Sequence, residues 1–317
     1  FNRRDFIRGI SVTALSAATG TKLKAEGTTI VPPPEKAFEP DTPKPFRPGK
    51  KTHPGKLPVV EHDRDVCVVG GGMGGLLTAI SAARHGAKVA LMQDRPVLGG
   101  NASSEIRMWI AGAGTRVRNL QETGIMEEIA LENMYRNPSR NWSIWDSLLY
   151  EKARFEPNID LILNCACNEV EMDGDRLAAV TGFQLTTYQK HVVRAKIFAD
   201  CSGDSILAPL TGAAYRVGRE AKSEFGEEFG LEKADRRTMG MSLLIQARET
   251  DHKIEFTPPS WAYDFPDDDA MNHKPHECLL KPNTNFYWIE LGGETDSIGD
   301  TEKTRDELLK IAFGVWD

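Results

Sequence analysis

The sequence has no uninterrupted apolar run of about 18 residues, the length a helix needs to span a bilayer, so no transmembrane helix is written in it. It also has no Cys-x-x-Cys pair. Its five cysteines, Cys67, Cys165, Cys167, Cys201 and Cys278, are odd in number, which argues against both a zinc ribbon and a disulfide framework. There is no excess of positive charge: 39 Lys and Arg stand against 46 Asp and Glu, a formal charge of −7 that disfavours a nucleic-acid or anionic-membrane partner. No internal repeat is visible. Metal ligands are not assembled either. Pro275 interrupts His273 and His276 so that they cannot share a helical face, and no distant cluster completes four donors.

What is present is the balance of a folded chain, with 40% hydrophobic and 27% charged residues over 317 positions, enough for one large or two ordinary domains. Residues 1–25 read as an address. Arg3-Arg4-Asp5-Phe6-Ile7-Arg8 is a twin-arginine pair, and a mildly apolar Ala- and Ser-rich stretch follows from Gly9 to Gly20. This resembles a twin-arginine export signal, which implies a periplasmic or exported protein; without export the chain would be cytoplasmic. The chain opens on Phe1 instead of Met, so a trimmed or incomplete start is expected. Residues 26–60 read as a linker: nine of the 18 prolines fall between Glu26 and Pro58, with almost no aliphatic periodicity.

Asp65–Val69 is a short run of β-formers cut off by Gly70-Gly71-Gly72-Met73-Gly74-Gly75. An Ala-rich helical stretch from Leu76 to His85 follows, then Gly86 and a second apolar strand from Lys88 to Met92. The two strands must be parallel, because the helix carries the chain back. Two helices are expected between 119 and 156, separated by a turn near Asn137-Pro138-Ser139. Strands are then expected at Ile159–Cys165, Leu177–Leu185 and His191–Phe198, forming an antiparallel meander, and Cys165 and Cys167 should share one face as small buried hydrophobes. Met239–Gln246 and Phe286–Leu291 read as further strands and Glu302–Phe313 as a helix.

Gly70, Gly72 and Gly75 hold the G-x-G-x-x-G positions between strand and helix. The first permits a tight turn and the second lets a pyrophosphate approach the backbone. The third allows close helix–strand contact, Met73 and Gly74 lie in the same cofactor-binding turn, and the helix N-terminus faces the phosphates with free N–H groups. At the end of the second strand, where an acid usually grips the adenosine ribose, stands Gln93 with Asp94 beside it. Gln93 can bond both ribose hydroxyls, or Asp94 can stand in. A second glycine pair, Gly99-Gly100, offers another close backbone approach, as a cofactor longer than a single adenosine half needs.

At this point the sequence resembles the FAD-dependent oxidoreductases of the glutathione-reductase-like flavoprotein superfamily, through Gln93-Asp94-Arg95-Pro96-Val97-Leu98-Gly99-Gly100-Asn101-Ala102-Ser103-Ser104-Glu105. It is similar, more narrowly, to the exported type found in Bacteroidetes. Trp145–Glu151, Asn158–Asn164, Phe198–Asp204, Trp288–Gly293 and Phe313–Asp317 extend the resemblance over 65–317. The resemblance implies FAD, held by the glycine turns with Arg95, Asn101 and Ser103. It places Val170 at the adenine and Cys201, Ser202, Gly203 and Asp204 beneath the cofactor; Asp204 alternatively reads as a helix N-cap. Such flavoproteins close the flavin site with a C-terminal glycine-rich segment. None follows Trp316, so truncation is expected.

The expected fold is α/β: a Rossmann-like FAD-binding domain over 61–211, a parallel sheet with an inserted antiparallel meander, followed by a partial α+β substrate domain over 212–317. The expected activity is hydride transfer between a small organic substrate and flavin, with an unidentified electron acceptor, and the resemblance points to a carbohydrate derivative as that substrate. Arg107, Trp288 and Glu290 are the catalytic candidates. Two alternatives stay open at this point: an NAD-dependent Rossmann dehydrogenase, and a non-catalytic flavin- or nucleotide-binding module of the same fold.

Overall fold

A computed structural model describes residues 56–110, 112, 122–246, 250–266, 270 and 286–317, without the side chains of 246 and 286–288. The twin-arginine segment, the proline-rich stretch up to residue 55 and the His273–Cys278 motif lie outside the described residues. The architecture below is that of the compact unit Leu57–Asp317.

Its framework is one six-stranded sheet. The central strand β1 (Val59–Val69) pairs in parallel with β2 (Val89–Met92) on one side and with β6 (Gln189–Asp200) on the other. β3 (Ile159–Ile162) continues the parallel half. β5 (Arg176–Gln184) and β4 (Cys165–Asp173) extend it antiparallel beyond β6. The meander is thus a continuation of the same sheet.

Two boundaries differ from expectation. β1 begins at Val59, so the expected linker runs into the strand; the half-exposed segment Val59–Arg64 pairs with Lys190–Ala195, and its polar residues hid it from a search for apolar runs. The expected strand Ile159–Cys165 breaks at Asn164, whose φ of 55° reverses the chain without glycine or proline, and β4 starts anew at Cys165.

Strand alternation gives the sheet two apolar faces. Val66 and Val68 face α1 (Met73–Arg84), α2 (Ile125–Arg136) and α3 (Trp142–Arg154), where Leu76, Ile80, Ile129, Leu148 and Leu149 are buried. Cys67 and Val69 face a second cluster with Met92, Ile162, Cys165, Val180 and Leu207, the last from the short helix α4 (Leu207–Thr211). Burial in that layer pushes the Cys67 and Cys165 thiols up to about 12 and that of Cys167 to about 11, so all three are neutral packing groups at physiological pH. Beyond a one-turn helix α5 (Lys222–Phe225), β7 (Gly240–Gln246) and β8 (Phe286–Gly292) pair antiparallel and pack on α6 (Thr301–Trp316) around Ile289, Leu308 and Ala312.

A polar chain crosses the parallel half of the sheet. His62 Nδ1 lies 3.3 Å from Asp160, its Nε2 lies 2.9 Å from His191 Nδ1, and His191 Nε2 lies 3.1 Å from Gln184 Oε1. Arg64 also pairs with Asp160. Burial, reinforced by His62, holds His191 below the ordinary imidazole range. The unfolded chain therefore binds a proton here at about pH 6.5, before the folded chain does. The stabilisation is complete above that pH and is lost as pH falls. We expect a lower thermal midpoint at pH 5.5 than at pH 7.5, and a smaller difference in His191→Asn; equal pH dependence of the two proteins would refute it.

Candidate functional site

Three turns meet at the carboxyl ends of β1, β2 and β6. The first leaves β1 at Gly70, whose φ of +101° and approach to β6 exclude a side chain: a Cβ there would lie 2.2 Å from the Cys201 carbonyl oxygen. A Cβ on Gly75 would lie 1.9 Å from the Gly70 carbonyl oxygen, so the first turn of α1 rests on the loop itself. Gly72 differs from both, because a Cβ there meets nothing within 4 Å and would project into open space. The first turn of α1 has no acidic residue and no side-chain cap, which leaves its N–H groups for an anion.

The second turn is stacked on the first, with the Gly99 N–H donating to the Gly71 carbonyl at 2.8 Å. Gly99 and Gly100 have φ values of 106° and 57°, and a Cβ on Gly100 would stand 3.2 Å from the Gly72 Cα. The third turn follows β6. Asp200 organises it: one carboxylate oxygen accepts from the Ser202 N–H (3.1 Å) and hydroxyl (2.7 Å), and the other accepts from the Leu207 N–H (2.8 Å).

These turns line one cleft of about 650 Å³. Of the expected cofactor residues, Gly70, Gly72, Met73, Gln93, Asp94, Arg95, Gly99, Gly100, Asn101, Cys201, Ser202 and Gly203 line it. Gly74 and Gly75 stand behind them in the first turn of α1.

Other residues serve different purposes. The Gln93 side chain is buried and engaged at both ends: Oε1 accepts from the Gly71 N–H at 2.6 Å, and Nε2 donates to the Val97 carbonyl at 3.2 Å. It staples the two glycine turns together. A glutamate could accept from Gly71 but, ionised, could not donate to Val97. Gln93→Glu is therefore expected to lose about 1–2 kcal/mol of stability at pH 8. Protonating the buried carboxyl restores the donor, so the deficit should shrink towards pH 5; urea titrations giving the same deficit at both pH values would contradict this. Arg95 lines the cleft while forming a two-point pair with Glu105 at 2.9 and 2.8 Å.

Ser103 is fully buried and accepts from the Glu105 N–H, turned away from the cleft. Val170 lies mid-strand opposite Val180; the part of the meander that meets the end of β2 is its start, where Asn164 and Cys165 N–H groups donate to the carbonyls of Arg95 and Gln93. Asp204 is exposed and caps nothing, since Asp200 receives the Leu207 N–H. Arg107 does not line the cleft: its guanidinium donates to the Ser104 carbonyl at 3.1 Å and its φ is 63°. Trp288 and Glu290 lie on β8, and the Glu290 carboxylate accepts from the Ser242 hydroxyl at 3.0 Å and does not line the cleft.

Sequence reasoning overlooked the far wall, where Ile106, Met108, Trp109 and Ile110 follow the second glycine turn. Its signal was an apolar cluster in a segment left exposed, with Trp109 55% accessible.

The FAD dependent oxidoreductase family matches residues 65–315, a span that contains all three turns. The chain belongs to that family. Its cofactor is FAD, and the cleft fits it: open space where a Gly72 side chain would project, uncapped helix N–H groups behind it, and two further close backbone approaches. Among solved structures, the chain is similar to a myxobacterial chondrochloren halogenase (18% identity, TM-score 0.31, covering 44% of this chain and 37% of that one). It is also similar to p-nitrophenol 4-monooxygenase from Pseudomonas putida DLL-E4 (16%, TM-score 0.31, 49% and 44%). A geranylgeranyl bacteriochlorophyll reductase-like protein from Thermoplasma acidophilum also matches (18%, TM-score 0.33, 59% and 47%). The chain spans less than half the length of each. No curated protein matches the sequence. Among the described residues of this family member, no helix is long and apolar enough to cross a membrane, and no group of three His, Cys, Asp or Glu is placed to hold a metal.

Proposed function

We propose that this chain holds FAD along the cleft and is the cofactor-binding part of an enzyme that exchanges a hydride with a small, carbohydrate-derived organic substrate. The observation that carries this reading is the convergence of Gly70–Gly72, Gly99–Asn101 and Cys201–Gly203 on one cavity of about 650 Å³. Bound there, FAD supplies a ring that takes up and releases a hydride, and an electron acceptor completes the cycle.

The protein's own part is binding and orientation. Uncapped N–H groups at α1 receive the pyrophosphate, and the bare Cα of Gly72 admits it. Asp94, exposed at the cleft beside the engaged Gln93, is the residue free to take the ribose hydroxyls by charge-assisted hydrogen bonds. The segment Ile106–Ile110 offers an apolar wall on the substrate side. The division into a cofactor part over 61–211 and a substrate part from 212 onward belongs to the same reading. So does twin-arginine export, a route that carries proteins already folded around their cofactor. An NAD-only enzyme has no use for the second and third turns.

The test is the visible absorption spectrum of the purified protein before and after acid precipitation. A flavin band released into the supernatant is expected. A folded protein that stays colourless when FAD is added overturns the reading.

A further inference from the structure

α3 presents one side to the second glycine turn, and three residues within a single helical turn make the contact. The buried Trp145 indole N–H donates to the Ala102 carbonyl at 2.6 Å. One Asp146 carboxylate oxygen accepts from the Ser104 N–H at 2.9 Å. A methyl carbon of Leu149 lies 2.8 Å from where a Cβ on Gly99 would stand, filling the space below the turn. The turn's start, middle and end are therefore all held by one rigid element.

The start of that element is itself fixed. Asn141 caps α3 by accepting from the Ser143 N–H at 2.8 Å. The buried Asn137 amide grips Asn141 at both backbone groups, at 2.7 and 2.8 Å, and donates to Asn133 on α2 at 2.9 Å. Gly100–Ala102 form a single 3-10 turn, tied to the first glycine turn through Gly99 and Gln93 on one side, and α3 holds it from the other.

We propose that Trp145 and Asp146 are positioning residues for FAD: through the Ala102 carbonyl and the Ser104 N–H they hold the second glycine turn in its binding conformation. This rests on the reading of the cleft as the FAD site. The residues touch the turn and not the cofactor, so removing either loosens a pre-formed site, and the cofactor must then supply the ordering.

The experiment is FAD titration of the full apo chain by flavin fluorescence at 15 °C, with circular dichroism to verify folding. Trp145→Phe keeps an aromatic ring in place but loses the pyrrole ring with its N–H donor; Asp146→Ala loses the acceptor, whereas Asp146→Asn keeps an oxygen that can accept. About a tenfold rise in FAD Kd is expected for Trp145→Phe and Asp146→Ala, and less than about twofold for Asp146→Asn. Leu308→Ala, in the separate core around α6, lowers the thermal midpoint but should leave Kd unchanged. Should Trp145→Phe fail to fold, the two Asp146 variants alone decide. Asp146→Ala binding FAD like the wild type, or Leu308→Ala weakening it equally, overturns the proposal. A wild-type chain that takes up no FAD overturns the reading of the cleft instead, which separates the two failures.

Discussion

Gly72→Val should abolish FAD uptake at micromolar cofactor while leaving the apoprotein folded. The backbone at Gly72 has φ −58° and ψ 176°, a conformation any residue adopts, so valine introduces no strain there. Its Cβ meets no protein atom within 4 Å, so the isopropyl group enters the cleft and no part of the core. It stands where a pyrophosphate must approach the N–H groups of α1, and a displacement of one side-chain radius loses most of those contacts. A loss of at least about a hundredfold in affinity, near 2.7 kcal/mol, is expected. Fluorescence titration measures the affinity and circular dichroism the fold. Wild-type uptake by the folded variant would remove the pyrophosphate from this turn.

Gly75→Ala should have the opposite profile, with the fold itself giving way. Its Cβ would fall 1.9 Å from the Gly70 carbonyl oxygen and 3.0 Å from the Cys201 Cβ, both on backbone or short side-chain atoms with no rotamer to move. The helix can only back away from β1, and Leu76, Ala79 and Ile80, all fully buried against Val68 and Leu91, would move with it. About 3 kcal/mol or more of destabilisation is expected, a fall of some 6–12 °C in thermal midpoint. Gly74→Ala, one residue earlier, meets nothing within 4 Å and should leave the midpoint unchanged or slightly higher. Equal midpoints for the two variants would contradict the close packing at Gly75.

The two glycines show which information a sequence carries well. Three glycines at fixed spacing between a strand and a helix are legible because each position needs the absence of a side chain: Gly70 for its left-handed φ, Gly75 for its contact with the Gly70 carbonyl, and Gly72 for the space in front of the helix. The roles of neighbouring polar side chains are less legible. Gln93 was readable as a ribose ligand, yet its amide is engaged by Gly71 and Val97, from two turns that only the folded chain brings together. Asp204, expected beneath the cofactor or else as a helix N-cap, does not cap: the Leu207 N–H goes to Asp200, whose carboxylate reaches over the turn. Val170 was placed at the adenine, but the left-handed Asn164 starts the meander early and brings Asn164 and Cys165 to β2. Trp288 and Glu290 lie on a strand as expected, in the separate two-stranded sheet, where the Glu290 carboxylate takes the Ser242 hydroxyl.

By itself the sequence determined the α/β class, the parallel pairing around the glycine turn and the order of helices and strands. Those follow from local rules: glycine geometry, apolar period and the direction in which a helix returns the chain. Only the tertiary structure decided which polar side chains face the cleft and which serve the scaffold, that the meander continues the central sheet, and that α3 supports the second turn. Those outcomes depend on contacts between segments distant in sequence, such as Ala102 with Trp145 and Gly71 with Gln93. A hydrogen-bonding side chain has several equivalent partners until the fold removes all but one.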